Sequence, residues 1–258
     1  MGVIGVGLRP PESYAFDPRL LFGRGEAGAW YDPGDASSLF ADTARSVPAA
    51  IDGGVGGLAD RSGRGHHLAQ AVPAARPMLR RDSAGRRYLD FDGVDDCLVS
   101  QAVGLRITGP VTIAAAVRRA EGARYDIWIS AQTDASTVNA YELRTGTVGA
   151  LEFVAANPGA IEADNAGAAT AVPVAATRVV TAMRTGATIE FGVGTAAVSA
   201  SHVLVPTADA ASEFRLGSRK GGPLFARGRV YGAVVVARML SARELDGLRG
   251  WLTARMTV

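Results

Sequence analysis

Four groups of residues have the types and spacings from which chemistry is usually built. In Glu162-Ala163-Asp164-Asn165-Ala166 two carboxylates sit at alternate positions. On a strand they would share a face, and a carboxylate pair about 5 Å apart is what retaining glycoside hydrolysis needs. No third acid follows, and the surrounding AANPGAIEADNAG reads as a loop, so hydrolysis is a distant alternative. Asp92, Asp95 and Asp96 could offer hard oxygen to Ca²⁺, which takes six to eight such ligands. No further acid lies close in sequence to complete that shell, and Asx capping of a Gly93 turn is the simpler account. Trp128 lies beside Asp126 and Ser130 on the polar side of its segment, with Asn139, Tyr141 and Arg144 in the next. An aromatic platform with amide, carboxylate and guanidinium neighbours is a candidate sugar site, although a Trp also packs readily under a loop or helix. His66 and His67 are adjacent, point to opposite faces of an extended chain and cannot readily share a metal.

The elements that must position these groups are mostly strands. Leu89 and Phe91 alternate with Asp90 and Asp92 before the Gly93 turn, and Leu98-Val99 resumes, which predicts a β-hairpin. Val111, Ile113, Ala115 and Val117 form one inward set. Others are Tyr125, Ile127 and Ile129; Leu151, Phe153 and Ala155; Val179, Thr181 and Met183; and Ile189, Phe191 and Val193. Val230 to Ala237 is apolar on both faces, as suits a strand covered on both sides. Strands recurring between Gly, Asn, Asp and Pro turns predict an all-β antiparallel sandwich. The period then changes: Ser241 and Glu244 form a capping box, and Leu245, Leu248, Leu252 and Met256 share a helical face, predicting one amphipathic helix on the sandwich edge or rim. Asp17-Pro18 and Asp35 are start signals for short helical turns. Residues 1–16 read as an arm, and residues 17–258 as a single domain.

Composition removes several function classes. The chain has 258 residues, 48% of them hydrophobic, and a net charge of +2, which gives no electrostatic footprint for nucleic acid. Lys220 is the only lysine. The single Cys97 excludes an intrachain disulfide and reads as a buried apolar side chain. There is no G-x-S-x-G elbow and no phosphate-binding loop with Lys. No apolar run is long enough for a bilayer, and MGVIGVGLRPPES lacks the build of a signal peptide, so synthesis in the cytosol is expected.

Several pieces in order carry a resemblance. DRSGRGHH at 60–67 is similar to the turn that precedes the jelly roll of concanavalin A-like lectin/glucanase (laminin-G-like) domains, with His66 where Asn is commoner. YLDFDGVDDCLV resembles their first core strand and turn, and GPVTIAAAVRR the strand after it. EFRLGSRKGGPLFARGRVYGAVVVARMLSARELDGLRGWLTARM is similar to their closing strands and helix. LLFGRGEAGAWYDPGDASSLFAD looks like the lead-in of the bacteriophage and prophage version. The resemblance spans about residues 17 to 256. It implies a jelly-roll virion component such as a fibre, spike or decoration protein, non-enzymatic, binding a host-surface glycan. It also implies contacts with other virion proteins through the arm and a homo-oligomer, commonly a trimer. A purely structural module is the first alternative. No cofactor is required, Ca²⁺ being the one candidate ion, and neither nucleic acid nor membrane insertion is expected.

Overall fold

The computed structural model describes residues 16–122, 124–133, 138–165 and 171–256. Except for Phe16, the expected arm lies outside them. The described strands, in chain order, are β1 (Gly28–Tyr31), β2 (Leu39–Phe40), β3 (Gly57–Leu58), β4 (Leu68–Ala69), β5 (Met78–Arg81), β6 (Arg87–Asp92), β7 (Leu98–Ser100), β8 (Val111–Arg119) and β9 (Asp126–Gln132). They continue with β10 (Asn139–Thr145), β11 (Leu151–Asn157), β12 (Ala160–Asn165), β13 (Thr177–Arg184), β14 (Thr188–Val193), β15 (Ala196–Ser201), β16 (Glu213–Leu216) and β17 (Arg227–Val236). Helix α1 (Ala242–Ala254) follows. Sheet I has the order β15-β14-β13-β8-β17-β6-β5, with β1 on the distal half of β17; sheet II has the order β12-β11-β10-β9-β16-β7-β4-β3-β2. All strand pairs are antiparallel. The protein is an antiparallel β-sandwich of the jelly-roll class with one C-terminal helix.

Alternation explains the two cores. From β8, Val111, Ile113, Ala115 and Val117 enter the space between the sheets, where they join Phe91, Phe153, Phe191 and Leu216. The opposite set, Ala114 and Ala116, lies under α1 with Val234 and Val236 of β17. Leu245, Leu248 and Leu252 are the buried stripe of the helix. Small residues on β8 let the helix approach closely, and apolar residues on both faces of β17 follow from cover on both sides. The helix therefore lies across the outer face of sheet I, against β8 and β13, rather than on a rim. The same cover corrects β13, where Val180 and Ala182 point between the sheets while Val179 and Met183 face the helix. The capping box is formed, with Ser241 Oγ accepting from Glu244 N and Glu244 Oε2 accepting from Ser241 N at 2.9 Å. Among the described residues no helix is long and apolar enough to cross a membrane.

The segment around Gly93 is not a hairpin. β6 pairs in sheet I with β5 and β17, whereas β7 pairs in sheet II with β4 and β16. Asp92 to Cys97 is therefore an arch from one sheet to the other. Asp96 holds it by accepting the Asp92 N–H at 2.9 Å, and Cys97 N anchors its far end on Ala75 O at 3.1 Å. Local turn signals are the same for a hairpin and an arch; the partners of the flanking strands, distant in sequence, decide between them.

Candidate functional site

The arch opens a cleft of about 410 Å³ on the outer face of sheet I, beyond the reach of the helix. Strand register builds it. Met78 opposes Asp90, Asp90 opposes Arg229, and Arg229 opposes Arg118, so one row crosses β5, β6, β17 and β8. The next rows add Arg80 opposite Tyr88, and Asp92 opposite Arg227. Asp96 enters from the arch.

The four guanidinium groups are held differently. Arg80 pairs with Asp52 at 2.5 Å, and Arg227 pairs with Glu121 at 2.8 Å. Arg229 lies over the ring of Tyr88 at 4.5 Å, and Arg118 donates through Nε to Ala175 O at 2.9 Å. Burial pushes the Asp90 carboxyl up, against the pull of Arg229, Arg80 and Arg118. Burial pushes Asp96 up to about 6, and Asp92 and Asp95 add to the rise. The cleft thus offers planar donor forks beside carboxylate acceptors, a surface suited to hydroxyl-rich polar ligands. The face of Tyr88 is taken by Arg229, so a ligand would be gripped by hydrogen bonds and charge rather than by stacking. The lining contains no Ser, Cys, His or Lys.

The three aspartates predicted as an ion site do converge, each offering an oxygen within 4.8 Å of the others. Two of their oxygens already accept backbone N–H groups. Asp92 Oδ1 accepts from Val94 N at 2.8 Å, and Asp96 Oδ2 is taken by Asp92 N at 2.9 Å. The Gly93 carbonyl accepts from Arg124 Nη2 at 3.0 Å, placing a cation of the protein itself at the turn. Three carboxylates alone do not complete a six-to-eight-oxygen Ca²⁺ shell, and no chemistry is routed through an ion here.

The predicted aromatic platform is overturned. Trp128 is 0% exposed, and its indole Nε1–H donates to Thr145 Oγ1 at 3.1 Å. The cause is a β-bulge: β10 pairs Leu143 with Ile129 but Arg144 with Ile127, so Trp128 is an extra residue and joins Ile129 in the core instead of alternating with it. Asp126 is also fully buried, accepting from Arg119 Nε at 2.9 Å and from Arg227 N at 3.0 Å. Tyr141 is buried with its hydroxyl on Leu105 O at 2.7 Å, and Asn139 is buried beside it on β10. Of that group only Arg144 reaches a partly open surface, over the Tyr125 ring and between Glu142 and Glu152 at 3.0 and 2.7 Å.

Glu162 and Asp164 lie on strand β12, not in a loop, and they meet a residue that local sequence gave no reason to join to them. His202 Nδ1 is 2.6 Å from Asp164 Oδ2 and 3.4 Å from Glu162 Oε2. Glu162 also accepts from Leu204 N at 2.6 Å. The cluster ties the segment after β15 to the edge strand β12 and closes the sandwich at that side. His202 is wholly buried and its Nε2 has no hydrogen-bond partner. With Nδ1 facing both carboxylates, the cluster acts as a structural clamp between the two segments. His66 and His67 serve separate loop contacts, His66 Nδ1 on Gly28 O at 2.7 Å and His67 Nδ1 accepting from Asp60 N at 3.0 Å.

What local sequence missed is the row Asp90–Arg229–Arg118. Its members lie on three strands up to 139 positions apart, and only the period-two phase of each strand could have put them on one outer face. No protein-family model matches the chain, and no curated protein matches it. Solved structures do resemble it. Trypanosoma rangeli sialidase is 17% identical, with a TM-score of 0.58 over 90% of this chain and 33% of that one. A botulinum neurotoxin type C, whose cell entry depends on two ganglioside molecules, is 9% identical, with a TM-score of 0.55 over 78% of this chain and 49% of that one. The binding domain of botulinum neurotoxin DC, in complex with rat synaptotagmin II, is 10% identical, with a TM-score of 0.56 over 76% and 49%. This chain spans a third to a half of those chains, and at these identities the likeness is one of fold, a β-sandwich.

Proposed function

We propose that this protein is a non-catalytic carbohydrate-binding sandwich of a phage-type particle, taking host-surface glycan in the cleft beside the arch. The observation that carries the reading is the row Asp90–Arg229–Arg118 on an open outer face, with Asp92 and Asp96 alongside. One carboxylate acceptor and two donor forks stand there on neighbouring strands, about 5 Å apart, so that together they can reach several hydroxyls of one sugar. The particle role rests on the ordered resemblance of residues 17 to 256, the lead-in above all. In it, residues 1–16 anchor the sandwich to other virion proteins or to sister subunits of a homo-oligomer. Glycan is favoured over other polar ligands because the fold is shared with a toxin whose cell entry depends on gangliosides.

The test is a glycan array followed by titration calorimetry. Specific binding is expected, weakened at least about tenfold by Asp90→Asn, with no reducing ends released from any bound polysaccharide. Absence of binding across the array would leave a structural fibre or decoration module. Sugar release that disappears in Asp96→Asn or in Glu162→Gln would turn the reading into a hydrolase.

A further inference from the structure

We infer that the sugar taken by this cleft carries a carboxylate, received between Arg118 and Arg229. The inference rests on the cleft being the glycan site. Arg118 and Arg229 are direct partners across β8 and β17, on one face of the sheet. Like charges directly opposite each other on neighbouring strands repel. The other two arginines of the cleft have their own acids, Asp52 and Glu121. Arg118 and Arg229 have none within ion-pair distance among the described residues; Arg118 holds a backbone carbonyl, and Arg229 lies over the Tyr88 ring and bonds the Tyr231 side chain. Tyr88 fixes the plane of Arg229, so its fork is oriented before anything binds.

A carboxylate placed between the two forks would relieve the repulsion and accept hydrogen bonds from both. The surrounding acids narrow the choice further. Asp90, Asp92 and Asp96 border the same space, so a phosphate dianion or a polyanionic backbone would meet three carboxylates. A single carboxylate flanked by hydroxyls meets acceptors for those hydroxyls instead. The lack of a free aromatic face fits a ligand held by polar contacts.

The experiment measures binding of sialylated and hexuronate oligosaccharides and of their carboxyl-reduced counterparts, to the full chain, at low and moderate salt. At least one acid form should bind about tenfold or more tightly than its reduced form, and more weakly as salt rises. Arg118→Gln and Arg229→Gln should each lower the acid form's affinity by a larger factor than the reduced form's, so that the preference between them collapses. Arg118→Gln keeps an N–H for Ala175 O, so the ligand-free variant should melt no lower than the parent, which separates lost recognition from lost folding. Equal affinity for acid and reduced forms overturns the carboxylate and leaves glycan binding standing. So does failure of every acid form when neutral glycans bind. Competition by acetate or sulfate at the oligosaccharide's own concentration would show a simple anion site and also overturn it. Failure of all sugars, neutral ones included, removes the underlying reading itself.

Discussion

Asp96 is spent on the arch and is electrostatically uncomfortable there. Its carboxyl is buried beside Asp92 and Asp95, and the proton is held up to a pH of about 6 instead of the ordinary 3.8. The folded protein therefore binds more protons than the unfolded chain between about pH 4 and pH 6. This group's contribution to stability is complete below about pH 4 and is lost as the pH rises through 6. At about 1.4 kcal/mol per pH unit, the loss amounts to no more than about 3 kcal/mol. Asp96→Asn keeps an oxygen for the Asp92 N–H and removes the charge. Urea melts at pH 7 should show the variant more stable by about 1–3 kcal/mol, with the difference shrinking toward pH 4. At this scale the sequence was partly legible. The types Asp-Gly-x-Asp-Asp announced a turn held by its own carboxylates, and those carboxylates do converge. The burial that sets Asp96 apart comes from strands far along the chain, which local reading does not see.

Strand β17 shows what one element must satisfy. It pairs with β8 along its length, with β6 on its first half and with β1 on its second. Gly228 lies between Phe91 of β6 and Arg119 of β8 with φ +147°, and an added Cβ would run into the Arg118 carbonyl. Gly228→Ala should cost at least about 3 kcal/mol and lower the melting temperature sharply in calorimetry, because both the φ and the close approach of backbone are lost. The apolar run of β17 was readable as a strand covered on both faces, and the capping box located the helix start. Trp128 was misread for a definite reason. Period two assumes an unbroken ladder, and the bulge in β9 inserts one residue and turns the indole inward. β12 was misread because Ala, Gly and Asn dominate its surroundings, and these have poor strand propensity. It is ordered by pairing with β11 and by the clamp at His202.

For the molecule as a whole, fold class was the most legible property, since alternation repeated over many segments averages out local errors. The remaining liability is the sandwich's own margin. Among the described residues β12 ends sheet II with one side of its ladder unpaired, and Ile161, Val203 and Val205 beside it are 53%, 75% and 70% exposed. An apolar edge strand invites pairing with a second copy. Ile161→Lys should reduce concentration-dependent association in light scattering without altering glycan binding, because the cleft is built from β5, β6, β8 and β17. A different consequence follows from Phe16, which rests on Gly247 of the helix, while Leu21 and Phe22 pack into the same outer layer. The first and last described segments are thus neighbours on one flank. Tension transmitted along the polypeptide would enter and leave at that flank, peel the helix and the first turn off sheet I, and spare the sandwich behind them.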